Sequence, residues 1–143
     1  MARTECTTHS LIVDVTVLTD TQVLLVRYQD TNRYDHQGGW FLPDDALRHH
    51  EHPDQGARRV AREQLGYALG KPRLHHVESF TGNDGTWHIP FHYVARLRSI
   101  PRLQPSKDIA AAQWFDLDAL PPSKEVAHRG WALATIRVIL KDR

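Results

Sequence analysis

Residues 40 to 67 read WFLPDDALRHHEHPDQGARRVAREQLGY, and the middle of this stretch organises the rest of the chain. From about Pro53 to Leu65 the spacing predicts a helix. Proline is tolerated in a first turn, where its missing N–H costs no hydrogen bond. Asp54 sits at the positive end of the helix dipole. Gly66 supplies the residue type that most readily takes a left-handed C-terminal stop. Ala57, Val60, Ala61 and Gln64 recur at helical spacing and should face a core. Before the helix, Pro43 to His52 shows no periodicity and reads as a loop.

On the N-terminal side, LIVDVTVLT at 11 to 19 is β-branched and partly alternating. It predicts a strand with Leu11, Val13, Val15 and Val17 on its core face. Asp20 and Thr21 make a turn, QVLLVR returns as a second strand, and YQDTNRYDHQ reads as a loop. GGWFL is expected as a short strand or rim segment. Beyond the helix, LHHVESFTG predicts a strand, Asn83-Asp84-Gly85 a turn, and WHIPFHYVARL a long partner strand. Pro90 inside that strand points to an edge position or a bulge. After a loop at 99 to 108, AAQWF predicts a short strand. Ser123 is placed to cap a last helix to about Leu140, with Trp131, Ala134 and Val138 covering the sheet. The resulting class is α/β, a mixed sheet with a helix on each face, in a single domain over residues 1–143 whose first ten residues are expected to be flexible.

Composition narrows the function. The 143 residues are 41% apolar and 24% charged, which suits a packed domain and not a disordered chain. Eighteen basic residues against seventeen acidic ones give no basic face for a nucleic-acid polymer. The single cysteine, Cys6, allows no internal disulfide and no multi-cysteine zinc site; it reads as a spectator thiol. No apolar run approaches membrane-spanning length, and the opening MARTECTTHS lacks the apolar core of a signal peptide, so a cytoplasmic location with no membrane partner is the expectation. Ten histidines are more than this composition explains.

The stretch Trp40–Tyr67 also resembles the Nudix box, the loop-helix-loop signature of MutT-like Nudix hydrolases. Laid over that pattern, residues 45–67 put the first glycine on Asp45 and the first glutamate on Glu51. The arginine falls on Arg59, the glutamate after it on Val60, and the aliphatic residue on Ala61. The paired glutamates fall on Glu63 and Gln64, and the last glycine on Gly66. Leu42-Pro43 before Asp44-Asp45, and Gln113-Trp114-Phe115 followed by Leu117, Leu120 and Pro121, also match family habits. The resemblance spans nearly the whole chain and implies a Nudix-fold α/β/α sandwich.

It further implies cleavage of a nucleoside diphosphate linked to another group, with Mg2+ or Mn2+ held by box glutamates. Cations neutralise the anionic diphosphate and activate the attacking water. Carboxylates one turn apart on a helix can share such an ion. Here Val60 and Gln64 stand where carboxylates are expected, and Glu63 alone remains as catalytic residue and metal ligand. Asp44-Asp45 replace the paired glycines, and Ala110-Ala111-Ala112 lack a late acidic residue that many relatives carry. Glu51 and Arg59 resemble the pair that braces the box. The expectation is therefore a degenerate Nudix-fold domain that binds a nucleotide-like or phosphorylated ligand, or a partner, with little or no pyrophosphatase activity. The alternative is a divalent-metal-dependent hydrolase. Homodimers are common in the family, which makes a homodimer an expectation too.

Further candidate ligand contacts are Arg27, Asp44, Asp45, Gln64 and Glu78. A cation at Arg27, at the end of the second strand, suits a phosphate. Asp44 and Asp45 would either replace lost carboxylates or form a solvated turn. His49, His50 and His52 around Glu51 would suit zinc, iron, nickel or copper, or simply be exposed. His75 and His76 on a regular strand must point to opposite faces. His88 and His92 share a face at about 13 Å, too far for one ion unless Pro90 bends the chain. Trp87, Phe91 and Tyr93 offer rings for stacking or for the core, and Trp131 is expected to pack.

Overall fold

The computed structural model describes residues 9–31, 38–82 and 85–142. Seven strands and two α-helices follow in the order β1 (His9–Leu18), β2 (Gln22–Tyr28), β3 (Asp44–Ala46), α1 (Pro53–Leu65), β4 (Arg73–Val77), β5 (Phe80–Thr81), β6 (Trp87–Arg96), β7 (Ile109–Asp116) and α2 (Ala127–Lys141). A short 3-10 turn, Ser123–Glu125, precedes α2. The strands form one mixed sheet in the order β4-β6-β1-β2-β7, with β3 on β1 and β5 on β6. β1 and β6 run parallel along their full length, from His9↔Trp87 to Leu18↔Arg96. The other pairs are antiparallel. The α/β sandwich expected from sequence is present.

Alternation along β1 divides the core. Val13, Val15 and Val17 face α1, whose Ala57, Val60, Ala61 and Leu65 pack on them with Leu24, Val26 and Tyr93. Leu18, Val23, Leu25 and Val94 face the other way, against Ala132, Leu133, Ile136 and Ile139 of α2. Both faces of the sheet are thus covered. No described helix is long and apolar enough to cross a membrane.

α1 occupies the range the sequence predicts. His52 caps it: its Nδ1 accepts from the Asp54 N–H, while Gln55 Oε1 accepts from the His52 N–H. Gly66 ends it at φ 63°, and a Cβ there would stand 2.8 Å from Gln104 Cβ. Glycine is the residue that takes this conformation without strain.

Several expectations are corrected. The first ten residues are not all outside the fold, since β1 starts at His9; residues 1–8, with Cys6, lie outside the described residues, as do 32–37 of the first loop and Asn83-Asp84 of the expected turn. Leu11 is exposed and not part of the core face. The stretch read as a loop holds β3, because its backbone pairs with Ile12–Asp14 of β1. LHHVESFTG is two strands, β4 and β5, separated by Glu78 and Ser79.

Pro90 is not at an edge. β6 lies between β4 and β1, and Pro90 offers its carbonyl to the Glu78 N–H at 3.0 Å, a bond that needs no proline N–H. Ser123 begins the 3-10 turn and caps no α-helix; the residue before α2 is Val126, without a side-chain cap. Ala134 and Val138 face solvent, and the stripe that covers the sheet is Ala132, Leu133, Ile136 and Ile139. His128, Arg129 and Gly130 at the start of α2 all have positive φ, a left-handed turn that precedes the right-handed helix.

Candidate functional site

The helix face expected to hold metal is occupied by a buried cation. The Arg59 side chain is 3% exposed and sits among three carboxylates. Its Nε donates to Glu51 Oε2 at 2.7 Å and its Nη2 to Glu51 Oε1 at 3.0 Å, a bidentate pair. Its Nη1 reaches Asp45 Oδ2 at 2.8 Å and Glu63 Oε2 at 3.5 Å, and its Nη2 also donates to the Ala46 carbonyl. The hydrogen bonds from Arg59 hold the Glu51 carboxyl below its ordinary range against the opposing effect of burial. The same bond to Glu51 raises the Arg59 guanidinium further. The pairing of Glu51 with Arg59 expected from the box is present, with Asp45 added from β3 and Arg48 from the loop that follows it.

Glu63 is half exposed and is held by a third group. Arg48 Nη2 donates to both its oxygens, at 2.9 and 3.2 Å. Val60 is 1% exposed and belongs to the core under α1. Gln64 is buried with both polar ends used: Tyr28 Oη donates to its Oε1 at 2.8 Å, and its Nε2 donates to the Asp44 carbonyl at 2.7 Å. The Asp44 N–H in turn donates to Tyr28 Oη. Mg2+ and Mn2+ prefer a shell of oxygen ligands with several anionic ones. The three box positions on the helix offer one carboxylate, Glu63, already engaged by two guanidinium groups, so this donor set does not fit a multi-ion centre.

A second cluster lies on the opposite face of the sheet. On β1, Asp14 is flanked by Asp44 of β3 on one side and His92 of β6 on the other, and His92 faces His76 of β4. His92 is fully buried between two carboxylates, with Nδ1 2.7 Å from Asp14 and Nε2 2.6 Å from Glu78. Burial pulls the His92 imidazole down, but the Asp14 hydrogen bond and the charges of Asp14 and Glu78 outweigh it and raise it. Burial pushes the Asp14 carboxyl up, against the effect of His92. Desolvation and the neighbouring rings of His92 and His75 lower His76.

His75 and His76 do not point apart. A register shift between Leu74 and His76 breaks the alternation, and their Nδ1 atoms meet at 2.7 Å. His76, Glu78 and His92 thereby bring three ligand-type atoms within 4.8 Å of one another. Sequence spacing hid this group because a bulge cannot be read from a period of two. The one available signal was the number of histidines at 75 to 92.

A small cleft of about 10 Å³, room for roughly one water, lies beside this cluster, lined by Asp14, Trp40, Leu42, Asp44, His128 and Trp131 among others. It sits where β1 and β2 splay and the 40–44 segment fills part of the gap, with Phe41 bridging Val26 and the Val15 N–H bonded to the Pro43 carbonyl. Asp14 Oδ1 is buried and has no hydrogen-bond partner among the described residues. Trp131 packs as expected, its ring 5.6 Å from that of His92 and 6.0 Å from that of Phe80, and it also lines the cleft.

The expected site residues therefore fall into separate groups. Asp45, Glu51, Arg59 and Glu63 are together. Asp44 and Gln64 join Tyr28, and Asp44 also lines the cleft. Glu78 belongs to the histidine cluster. Arg27 lies over the Trp40 ring at 4.4 Å. Of the aromatic residues on β6, Tyr93 and Phe91 pack in the α1-side core, and Trp87 is exposed with its Nε1 donating to Ser79. His49 and His50 are exposed, and His52 serves as the helix cap.

Solved structures of the same fold include a MutT NUDIX hydrolase from Burkholderia pseudomallei, with TM-score 0.74 and 22% identity, covering 90% of this chain and 96% of that one. A MutT protein from Methanosarcina mazei Go1 aligns with TM-score 0.69 and 17% identity over 91% of this chain and 94% of its own. An Ap4A hydrolase from C. elegans aligns with TM-score 0.69 and 15% identity over 94% and 99%. No curated protein matches the chain significantly. The NUDIX domain family model matches residues 8–134, nearly the whole chain, and together with the fold and the braced box this means that the chain belongs to the NUDIX family.

Proposed function

We propose that this NUDIX domain binds a flat, nucleotide-like ligand and has little or no metal-dependent pyrophosphatase activity at its box. The observation that carries this reading is the state of the three box positions on α1. Val60 is packed in the core, Gln64 is bonded at both ends, and Glu63 is held by Arg48 and Arg59. Recruiting Glu63 to an ion would mean breaking its contacts to two cations.

The cleft offers such a ligand a point of contact at its mouth. Trp40 and Trp131 give it aromatic walls, and Asp14 and Asp44 bring carboxyl groups to it. An unpartnered buried acceptor favours a ligand with N–H donors, because leaving such an oxygen unpaired costs about 1–3 kcal/mol. The Ap4A hydrolase of C. elegans and a bifunctional NMN adenylyltransferase/ADP ribose pyrophosphatase of Francisella tularensis, complexed with AMP and a Mn ion and matched over 41% of its length, share the fold, which supports a nucleotide-like class of ligand.

A second reading, a divalent-metal-dependent diphosphate hydrolase, is favoured by one feature. Asp45, Glu51 and Glu63 remain gathered around Arg59 on the box helix and its loop. In that reading Glu63 is the catalytic residue and holds Mg2+ or Mn2+.

One assay separates the two. The pure chain is incubated with nucleoside diphosphate sugars and dinucleoside polyphosphates, with Mg2+, Mn2+ or chelator, beside Glu63→Gln. The binding reading expects no turnover and a saturable rise in melting temperature with at least one nucleotide. Metal-dependent turnover that disappears in Glu63→Gln would overturn it.

A further inference from the structure

We propose that His76, Glu78 and His92 form a binding site for one divalent transition-metal ion of the zinc class, on the face of the sheet away from α1. This site shares no residue with the box, and the proposal stands whether or not the box hydrolyses anything.

The residue types are the first ground. Two imidazoles and a carboxylate suit zinc and its neighbours, whereas Mg2+ and Ca2+ prefer an all-oxygen shell. The geometry is the second. The three ligand atoms lie within 4.8 Å of one another. Ligands of a tetrahedral zinc ion stand about 3.3 Å apart. His76 Nε2 is already 3.7 Å from Glu78 Oε1. His92 Nε2 and Glu78 Oε1 are closer, at 2.6 Å, because they share a hydrogen bond. An ion would take the place of that proton and push the two apart by less than about 1 Å. Glu78 can yield, since it is 38% exposed and stands in the break between β4 and β5.

The support around the ligands is the third ground. A metal-ligating histidine usually gives its other ring nitrogen to a carboxylate, which fixes the ring and its tautomer. The Nδ1 of His92 is 2.7 Å from Asp14, whose side chain is 2% exposed, so its Nε2 is the nitrogen turned to Glu78. His76 is set in the same sense, with Nδ1 against His75 Nδ1 and Nε2 toward Glu78. The register shift in β4 produces this arrangement by turning His75 and His76 to one side. Trp131 covers the His92 ring from α2 at 5.6 Å. Three protein ligands leave a fourth position for water or a ligand group.

The test uses the untagged full chain, stripped with chelator and dialysed. Zn2+ is titrated by isothermal calorimetry, and Co2+ is followed by its visible absorption. The expected result is one equivalent per chain, with a Co2+ band of four-coordinate intensity. His76→Gln and Glu78→Gln, both at partly exposed positions and each checked by circular dichroism, should each weaken binding at least about tenfold. The double variant His49→Gln/His50→Gln, in the exposed loop, should bind as the parent does. Absence of a saturable site would overturn the proposal. So would binding that survives in both His76→Gln and Glu78→Gln, or that is lost in the loop variant.

Discussion

Arg59 shows how a single buried charge fixes the loop before α1. Its guanidinium satisfies Glu51 twice, Asp45 once and the Ala46 carbonyl once, so the loop cannot move without stranding a buried cation. Removing one partner of a buried pair costs about 3–5 kcal/mol. Asp45 and Glu63 are partly exposed and can rehydrate, so Arg59→Ala should fall at the low end, about 3 kcal/mol, measured by urea unfolding. Glu51 adds a pH dependence. Its folded carboxyl is more acidic than in the unfolded chain, where a glutamate titrates near pH 4.5. That contribution is full above the unfolded value and is lost as pH falls through the folded one. Unfolding free energy measured from pH 6 to pH 2.5 should therefore drop more steeply in the parent than in Glu51→Gln. The Glu51–Arg59 pairing was legible from the box pattern. The roles of Asp45 and Arg48 were not, because they depend on how an aperiodic loop folds back over the helix.

Among the elements, the ends of α1 are legible in the sequence because each has a local cause, Pro53 at one and Gly66 at the other; the His52 cap comes from the structure alone. For α2 the sequence places Trp131 correctly over the sheet, against Phe80 and His92, but not Ala134 and Val138, which face solvent. The helix is apolar nearly all round, so Trp131, Ala134 and Val138 form a stripe as regular as the one that is buried. Packing against Leu18, Leu25 and Val94 chooses between them, and the left-handed turn at 128–130 sets where the helix begins. Ile136 is 0% exposed and Val138 42%. Ile136→Ala should cost about 2–5 kcal/mol, the usual range for emptying a core site. Val138→Ala should stay within about 0.5 kcal/mol. Equal losses in chemical denaturation would contradict this orientation.

Over the whole molecule, the cleft is made by parts far apart in sequence: Asp14 on β1, Trp40 to Asp44 before and at β3, and Trp131 on α2. Trp131 is partly exposed, so Trp131→Ala should leave the fold intact while removing one wall. An aromatic contact of this kind is worth about 0.5–1.5 kcal/mol. The variant should therefore raise the Kd of a nucleotide that stabilises the parent by roughly 2- to 10-fold, read by thermal shift titration. The same assembly explains the histidines that composition could not. It places four of the ten: His52 caps α1, and His75, His76 and His92 meet where the antiparallel pair β4–β6 carries a bulge, with Asp14 brought beside them by the parallel pair β1–β6.

The sequence by itself determined the range of α1, with Pro53 in its first turn and Gly66 as its stop, because these rest on neighbours along one element; the order of strands and helices gave the class of fold, and the resemblance to the Nudix box gave the Glu51–Arg59 brace and the positions that lack carboxylates. Only the tertiary structure decided which face of α2 is buried, that Gln64 is tied to Tyr28 and Asp44, and that Asp14, His76, Glu78 and His92 come together. Those contacts join strands and loops whose pairing register, bulge and crossing are set by burial of the whole sheet, and no periodicity within a single segment encodes them.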